Sequence, residues 1–494
     1  MKSFDVIIIG GGVVGCMTAR ALSRYQLKIL LIEKESDIGM GASSANSAII
    51  HSGHDPLPGT LKAEMNRIAN PMWDQLSADL GIPFKRCGAY IVAVGEKELN
   101  SLAGLKTRAA RNGVKAEILD ADEIRRREPL LNPDVSGALY TPSAGMVDPF
   151  AACIAPIENA IQNGVKVLLE TEFSDFIKQG KKIVGIHTNQ GDFACRWAIN
   201  AAGIYSDEVM HKAGEHPEFK ISPRRGEYNI LDKTDIEMNN ILFPVPTKTS
   251  KGILVLGSTH GNVVVGPNSE DSQDKEDQSV TAPGLHEIWQ GSQKLIPSIS
   301  PKSIIAVFAG LRATGNAVCK NPAVNYHNDF LIETAQNVHG LINLAGIESP
   351  GLTAAPAIAD RVVELLKDSG EHLVEKVDWN PIRLARPRFN HLSRDEQIKL
   401  VAKDARYGRI VCRCEMVTEG EIVAEIYAPL PARTYDAIKR RTWLGTGRCL
   451  GSFDMPRVVE ILSRELGIPV NQVSKKGPGS EFLVRPTKEL GGLK

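Results

Sequence analysis

The sequence lacks the net charge and the long apolar runs that mark several large classes of protein. Among its 494 residues, 58 Lys and Arg face 58 Asp and Glu, so the formal net charge is zero. No field would therefore draw the chain onto nucleic acid or an acidic membrane. No apolar stretch reaches about 18 residues, the length expected of a transmembrane helix. The apolar N-terminal stretch leads into glycines rather than a small-residue cleavage site, so we expect no signal peptide.

Cysteine is scarce and unevenly placed. Of eight cysteines, five are scattered among apolar neighbours, as buried reduced thiols would be, and three cluster near the C-terminus. This pattern favours a protein of the reducing cytoplasm over one built on disulfide bonds. Peripheral association of the protein with the inner membrane stays open. The chain length predicts roughly two to four domains. The mixed-sign run at 269–279 is expected to be a solvated loop.

The first forty residues contain a nucleotide-binding pattern. The stretch FDVIIIGGGVVGCMTARALSRY predicts a buried strand, a glycine turn and a helix, with Gly10, Gly12 and Gly15 in the spacing G-x-G-x-x-G. Gly10 would make the turn, Gly12 would admit a pyrophosphate, and Gly15 would let the helix pack on the strand. The helix N-terminus offers free N–H groups to the phosphates. Glu33 ends the next strand and would accept a hydrogen bond from a ribose hydroxyl.

Two later stretches favour FAD over NAD as the dinucleotide. RWAINAAG at 196–203 predicts a strand that ends in residues small enough for a cofactor to lie against. The stretch 343–370 predicts a strand and a long helix, with Ser349 as N-cap, Pro350 in the first position and Gly370 at the C-terminus. The positive end of this helix dipole suits a reduced, anionic flavin. The chain has a single G-x-G-x-x-G, which argues against a second NAD(P)H site.

Residues 1–370 resemble FAD-dependent glycerol-3-phosphate dehydrogenases and oxidases of the D-amino-acid-oxidase-like superfamily. The resemblance rests on GGGVVGC, GASSANSAIIHSGHDPLPGTLKAEMN, SPRRGEY, FPVPTKTSKG, HGNVVVGP, FAGLRA and GIESPGLTAAPAIA. It implies an α/β fold with a Rossmann-like FAD-binding domain, a discontinuous antiparallel-sheet substrate domain and a small α-rich C-terminal domain. The implied FAD-binding segments are 1–85, 140–210 and 335–370, and the implied substrate-domain segments are 86–139 and 211–334.

The resemblance also implies the residues of an active site. Oxidation of a secondary alcohol needs a base that titrates near neutrality, and His51 is the candidate, with His54 the weaker choice. Lys251 and Arg312 would act with it and hold an anionic substrate, assisted by the hydroxyls of Ser47 and Ser349. Arg225 is either a further substrate contact or a surface residue. The residues implied to contact FAD are Gly10, Gly12, Val13, Val14, Gly15, Glu33, Lys34, Ser43, Ser44, Asn46, Ser47, Ala202, Gly203, Gly346, Glu348, Ser349, Gly351, Leu352 and Thr353.

The last hundred residues have a different composition. A charged, proline-containing arm at 371–404 precedes a C-terminal domain at 405–494. This domain resembles the bacterioferritin-associated-ferredoxin-like 2Fe–2S domain, whose pattern is C-x-C, about thirty residues, then C-x-x-C or C-x4-C. Cys412, Cys414 and Cys449 match this pattern, and Asp454 stands in the fourth place. Three alternatives stay open: a cluster with one carboxylate ligand, a domain that has lost its cluster, or a zinc site.

Three functions are compatible with these features. The first is oxidation of sn-glycerol 3-phosphate to dihydroxyacetone phosphate by hydride transfer to flavin N5. The second is oxidation of a 2-hydroxy acid or an amino or imino acid, because Arg312 would bind a carboxylate as readily as a phosphate. The third is an electron-transfer subunit of a larger complex. The acceptor stays open among oxygen, a quinone-linked partner and a partner flavoprotein.

Overall fold

The structure is a computed structural model that describes residues 1–246 and 252–485. Lys251, together with most of the PTKTSKG stretch, lies outside the described residues. The described residues form twelve α-helices: α1 (Val13–Leu22), α2 (Leu61–Leu80), α3 (Glu96–Arg111), α4 (Ala121–Arg127), α5 (Ala151–Gln162), α6 (Ser206–Ala213), α7 (Ala282–Leu295), α8 (Gly351–Asp368), α9 (Arg394–Lys403), α10 (Glu419–Ile426), α11 (Tyr435–Thr442) and α12 (Met455–Leu466). No helix in these two ranges is long and apolar enough to cross a bilayer.

A six-stranded sheet forms the centre of the nucleotide-binding part. Its strands run in the order Lys166–Leu168, Ile29–Ile32, Val6–Ile9, Trp197–Asn200, Leu341–Ala345 and Leu331–Thr334. The first five are parallel and the last is antiparallel. The short apolar runs VIII and ILLI are fully buried, as expected of parallel strands covered on both faces. Helices α1, α5 and α8 pack together beside this sheet.

The substrate-domain part is built on a larger, mainly antiparallel sheet. Its strands run in the order Glu270–Asp271, Ile221–Leu231, Val263–Gly266, Leu254–Gly257, Ile241–Pro244, Ala89–Val94, Val135–Thr141 and Glu117–Asp120, and Ile304–Gly315 pairs with Ile221–Leu231. Two smaller sheets are also present. One contains Lys2–Ser3, Gly191–Ala194, Lys182–Thr188 and Phe173–Gln179, and the other contains Ile49–Ile50, Gly145–Val147 and Phe84–Arg86.

The C-terminal domain is small and mostly helical. Strands Ile410–Cys412 and Val417–Thr418 form a hairpin, and α10, α11 and α12 enclose a separate apolar core that includes Ile422, Ile438 and Leu462. Residues 371–404 run as an arm from α8 to this domain and contain α9. The α-rich domain expected from the sequence is therefore present.

The fold class expected from the sequence is confirmed, while the domain limits stay a prediction. Strand Leu331–Thr334 joins the six-stranded sheet although it falls in a segment assigned to the substrate domain. The prediction for the start of α8 is wrong by one residue, because Pro350 is the N-cap and the helix begins at Gly351. The Ser349 hydroxyl lies 3.5 Å from the ring of His51 instead of capping the helix.

Candidate active site

The glycine turn after strand Val6–Ile9 has the tight geometry that its sequence predicts. Gly10 has φ 108°, a conformation that L side chains rarely adopt, and a Cβ there would lie 2.5 Å from the carbonyl oxygen of Ala201. A Cβ on Gly15 would lie 2.0 Å from the carbonyl oxygen of Gly10. Both positions therefore require glycine for close backbone packing.

Gly12 differs, because a Cβ there would meet only Ser43 Oγ, at 3.3 Å. The space beside Gly12 belongs to a cavity, as a pyrophosphate site requires. Ser43 Oγ also accepts a hydrogen bond from Val13 N–H at 3.0 Å, at the N-terminus of α1. The Glu33 carboxylate accepts hydrogen bonds from the N–H groups of Gly11 (2.6 Å) and Glu35 (3.0 Å), and burial raises its pKa. These residues fit the pyrophosphate and ribose of a bound dinucleotide.

A cavity of about 1200 Å³ extends from this turn between the two large sheets. Most residues expected from the sequence line it: Gly10, Gly12, Val13, Val14, Glu33, Lys34, Ser43, Asn46, Ser47, His51, Ala202, Gly203, Arg312, Glu348, Ser349, Gly351 and Leu352. Four others lie behind the wall: Gly15, Ser44, Gly346 and Thr353. The Thr353 hydroxyl accepts a hydrogen bond from the backbone N–H of His51 at 2.9 Å. Thr353 therefore positions the candidate base and does not line the cavity.

His51 directly follows strand Ile49–Ile50, and hydrogen bonds to its backbone groups hold it in place. Its carbonyl oxygen accepts hydrogen bonds from the amides of Asn66 (3.1 Å) and Asn70 (2.9 Å), both on α2. Its Nε2 lies 3.5 Å from Ser349 Oγ, and its ring centroid lies 6.1 Å from that of Phe243. The imidazole is thus fixed at the cavity wall beside a hydroxyl from the N-terminal end of α8. A proton acceptor in this position can act on a bound alcohol.

The sequence analysis missed an ion pair next to this histidine. Lys62 Nζ, at the start of α2, lies 2.6 Å from Glu348 Oε1, and both residues line the cavity. The Thr314 hydroxyl donates to Glu348 Oε2 at 2.7 Å. Burial alone would raise the pKa of Glu348, but the charge and hydrogen bond of Lys62, the hydrogen bond from Thr314 and the charge of Arg312 together outweigh it and lower that pKa. Lys62 belongs to the quoted stretch GTLKAEMN, yet a lysine in a helix is usually exposed, so nothing in the sequence indicates this role.

Arg312 lies on strand Ile304–Gly315 and reaches the cavity from the larger, mainly antiparallel sheet. Its Nη2 donates to the carbonyl oxygens of Asn268 (2.8 Å) and Arg225 (3.3 Å), and no hydrogen bond of its Nη1 is found within the described ranges. Beside it, the Tyr228 ring stacks on Phe308 with centroids 4.5 Å apart. The Tyr228 hydroxyl lies 3.4 Å from Ser47 Oγ, and burial raises its pKa. The guanidinium is fixed on one side and can bind an anion on the other.

Arg225 is neither a substrate contact nor a surface residue. Its guanidinium is buried and pairs with Glu270 and Asp277, both at 2.6 Å. Both acids come from the run 269–279, which is largely exposed, as expected, but also closes one side of the cavity with Lys275 and Glu276. The charges of this run are therefore partly used in ion pairs across the fold.

The four candidate metal ligands lie in pairs. Cys414 Sγ and Cys449 Sγ are 3.5 Å apart. Burial and the Asp454 carboxylate raise the pKa of Cys412 to about 12. The Tyr435 hydroxyl donates to Asp454 Oδ1 at 2.7 Å, while Asp454 Oδ2 is buried and has no hydrogen-bond partner among the described residues. No three His, Cys, Asp or Glu side chains gather to hold one metal ion in residues 1–246 and 252–485.

The family is established by comparison with known proteins. Residues 5–365 match the FAD-dependent oxidoreductase family, and residues 410–464 match the BFD-like [2Fe-2S] binding domain. The chain belongs to the FAD-dependent oxidoreductases. The FAD cofactor inferred from the glycine turn and the identification as an FAD-dependent enzyme are thereby confirmed.

Individual relatives agree with this assignment. Glycerol 3-phosphate dehydrogenase from Caloramator mitchellensis is 42% identical, and the match covers 98% of this chain and 99% of the relative. Glycerol 3-phosphate oxidase from Mycoplasma pneumoniae is 34% identical over 77% of this chain and 98% of the relative. The dithionite-reduced L-alpha-glycerophosphate oxidase from Mycoplasma pneumoniae with FAD bound has a TM-score of 0.71 at 33% identity, covering 78% of this chain and 99% of that one.

Proposed function

We propose that the enzyme oxidises sn-glycerol 3-phosphate to dihydroxyacetone phosphate in the cytoplasm. The proposal rests chiefly on one cavity in which a histidine, two serines and an arginine meet the nucleotide-binding turn. The full-length similarity to a glycerol 3-phosphate dehydrogenase supports this substrate. Bound FAD would supply the two-electron acceptor, taking a hydride at N5. The electrons would then pass to an acceptor such as a partner flavoprotein or a quinone-linked protein.

In this proposal His51 removes the proton of the substrate hydroxyl. Its Nε2 lies beside Ser349 Oγ, so the two groups can contact the same hydroxyl oxygen of the substrate. The backbone contacts of His51 with Thr353, Asn66 and Asn70 fix the ring before the substrate arrives. A prepositioned base avoids the cost of ordering it in the transition state.

Arg312 would bind the phosphate of the substrate. Its Nη2 is fixed by the carbonyl of Asn268, which leaves Nη1 to face the anion. Ser47 lies on the same wall and could add a hydroxyl contact. Lys251 is proposed as a second cation from the sequence alone, since it lies outside the described residues.

A 2-hydroxy acid is the second candidate substrate. L-2-hydroxyglutarate dehydrogenase from Escherichia coli is 32% identical over 54% of this chain and 64% of the relative. A guanidinium binds a carboxylate as well as a phosphate, so Arg312 does not separate the two.

Anaerobic bleaching of the flavin absorbance tests this choice. The purified protein is mixed with glycerol 3-phosphate, 2-hydroxyglutarate, lactate or proline. Rapid bleaching by glycerol 3-phosphate alone is expected. Bleaching by 2-hydroxyglutarate in its place supports the second candidate, and a flavin that no compound bleaches indicates an electron-transfer subunit.

We further propose that the C-terminal domain holds a 2Fe–2S cluster with Cys412, Cys414, Cys449 and Asp454 as ligands. Each iron of such a cluster takes two protein ligands. The pairing of Cys414 with Cys449, and of Cys412 with Asp454, suits this requirement. Within residues 1–246 and 252–485, the buried Oδ2 of Asp454 has no hydrogen-bond partner, so it is available as an anionic ligand atom. The cluster would supply one-electron transfer.

Iron content after anaerobic reconstitution with iron and sulfide tests the ligand set. We expect about two irons per chain, loss of iron in Asp454→Ala, and retained iron with a changed spectrum in Asp454→Cys. Tyr435→Phe is the matched control, because it removes the hydrogen bond to Asp454 but no proposed ligand. Iron-free protein after reconstitution would leave this domain as a docking or structural module.

A further inference from the structure

The loop after strand Ile29–Ile32 has two faces. Its flanks line the cavity, through Glu33 to Glu35 on one side and Met40 to Ser43 on the other. The residues between them, 36–39, are absent from the cavity wall. Of these residues, Ser36 and Asp37 contact the C-terminal domain, while the Ile38 side chain packs against Gly11 in the core.

Asp37 is the central contact on this outer face. Arg441 Nη1 and Nη2 donate to Asp37 Oδ2 and Oδ1 at 2.7 and 2.8 Å, and Arg440 Nη2 donates to Oδ2 at 2.8 Å. Both Asp37 and Arg441 are 1% exposed. Although burial alone would raise the pKa of Asp37, the two guanidiniums hold it well below its usual range. A buried, bidentate pair of this kind fixes the relative position of its partners.

The neighbouring residues of the loop are held as well. The Ser36 hydroxyl donates to the carbonyl oxygen of Lys476, in the last described segment, at 2.5 Å. Cys153 on α5 packs against Gly39, where an added Cβ would lie 3.2 Å from the Cys153 sulfur. Helix α5 is in turn fixed to the arm, because its buried Glu158 pairs with Arg383 (2.6 Å) and Arg386 (2.7 Å). The C-terminal domain and its arm thus surround the outer face of the loop.

We propose that the C-terminal domain completes the FAD site by holding the loop at 33–43 through the ion pair between Asp37 and Arg441. Arg441 is then a positioning residue for FAD, although it does not contact the cavity. The inference depends on FAD binding and not on the substrate or on iron. The Mycoplasma pneumoniae oxidase structure with FAD bound covers 78% of this chain and 99% of its own.

The FAD dissociation constant of the apoprotein, measured by flavin fluorescence, tests the proposal. Asp37→Asn and Arg441→Met should each weaken FAD binding about tenfold or more, equivalent to 1.4 kcal/mol. The double variant should be no weaker than the weaker single variant, because both changes break one interaction. Arg448→Met is the matched control: its exposed side chain pairs with Asp232 and Asp235 of the substrate sheet region, away from the loop, and should leave the constant within about twofold.

Unchanged FAD affinity in folded Asp37→Asn and Arg441→Met proteins would overturn the proposal, as would additive effects in the double variant. Hydrogen–deuterium exchange of the wild type covers the case in which a variant does not fold. Since coupling is reciprocal, FAD should slow exchange in α11 as well as at 36–40. Equal exchange of α11 with and without FAD would also overturn it.

Discussion

Replacing Lys62 with methionine should destabilise the protein, because it leaves the Glu348 carboxylate buried without its counter-charge. The two side chains are 6% and 14% exposed and their charged atoms are 2.6 Å apart. Removing one partner of a buried ion pair costs about 3–5 kcal/mol. The Thr314 hydroxyl still donates to Glu348, so we expect the lower end of that range, about 3 kcal/mol.

The pH dependence separates this cause from a simple packing defect. A carboxylate with a lowered pKa stabilises the fold above its unfolded pKa, and this stability is lost as pH falls through the folded pKa. Because Lys62 lowers the pKa of Glu348, the wild-type pair stabilises the protein at neutral pH. In Lys62→Met, only the Thr314 hydrogen bond and the Arg312 charge still oppose burial, so the pKa of Glu348 rises. The variant should therefore regain stability relative to the wild type as pH falls from about 8 to about 5.

The assay is the thermal unfolding midpoint of the FAD-bound protein across this pH range. Lys62→Met should lower the midpoint by several degrees at pH 8 and by less at pH 5. The double variant Lys62→Met/Glu348→Gln is the matched control and should recover most of the loss, since no unpaired charge remains. A loss that is equal at every pH, or one that the double variant does not recover, would refute the electrostatic reasoning.

Three further outcomes are expected at the cavity. Gly12→Val should yield protein without FAD, because the new side chain enters the space beside Ser43; stoichiometric FAD in the acid-released supernatant would contradict this. His51→Ala should slow flavin reduction by roughly 10²–10⁴ with FAD still bound, and a normal rate in stopped flow would place the base elsewhere. Arg312→Lys should mainly raise KM, because one ammonium cannot replace a guanidinium that binds both the carbonyl of Asn268 and the substrate. An unchanged KM in steady-state kinetics would remove Arg312 from substrate binding.

The features predicted best from the sequence are those set by short-range rules. The glycine turn needs glycine at Gly10 and Gly15 because of backbone contacts at 2.5 and 2.0 Å, and these contacts leave a readable spacing. Gly467 follows the end of helix α12 (Met455–Leu466) in the left-handed conformation that glycine favours. Such signals lie within a few residues of the element that they define.

The features missed are those that join distant segments. Lys62 and Glu348 are 286 positions apart, and Asp37 and Arg441 are 404 positions apart. In a single sequence each of these residues looks like an ordinary exposed charge. The prediction of Ser349 as N-cap is wrong for the same reason: the serine is a plausible cap, but its hydroxyl contacts His51 from a distant part of the chain. Long-range pairing overrides local preference at the site itself.

One missed ion pair, Lys62 with Glu348, lines the cavity, and the other, Asp37 with Arg441, lies behind the loop that forms part of its wall. A buried ion pair is often no more stabilising than an apolar pair of similar size, because desolvation costs offset the attraction. Such a pair is directional, however, and it is satisfied in one arrangement only. Asp37 is held on the far side of the loop that begins at Glu33, and Lys62 is held beside His51 and Ser349. We infer that these pairs are retained for the position of the two ends of the cavity rather than for overall stability. Replacing both residues of either pair with apolar residues should then preserve folding. Replacement of Asp37 and Arg441 should weaken FAD binding, and replacement of Lys62 and Glu348 should slow catalysis.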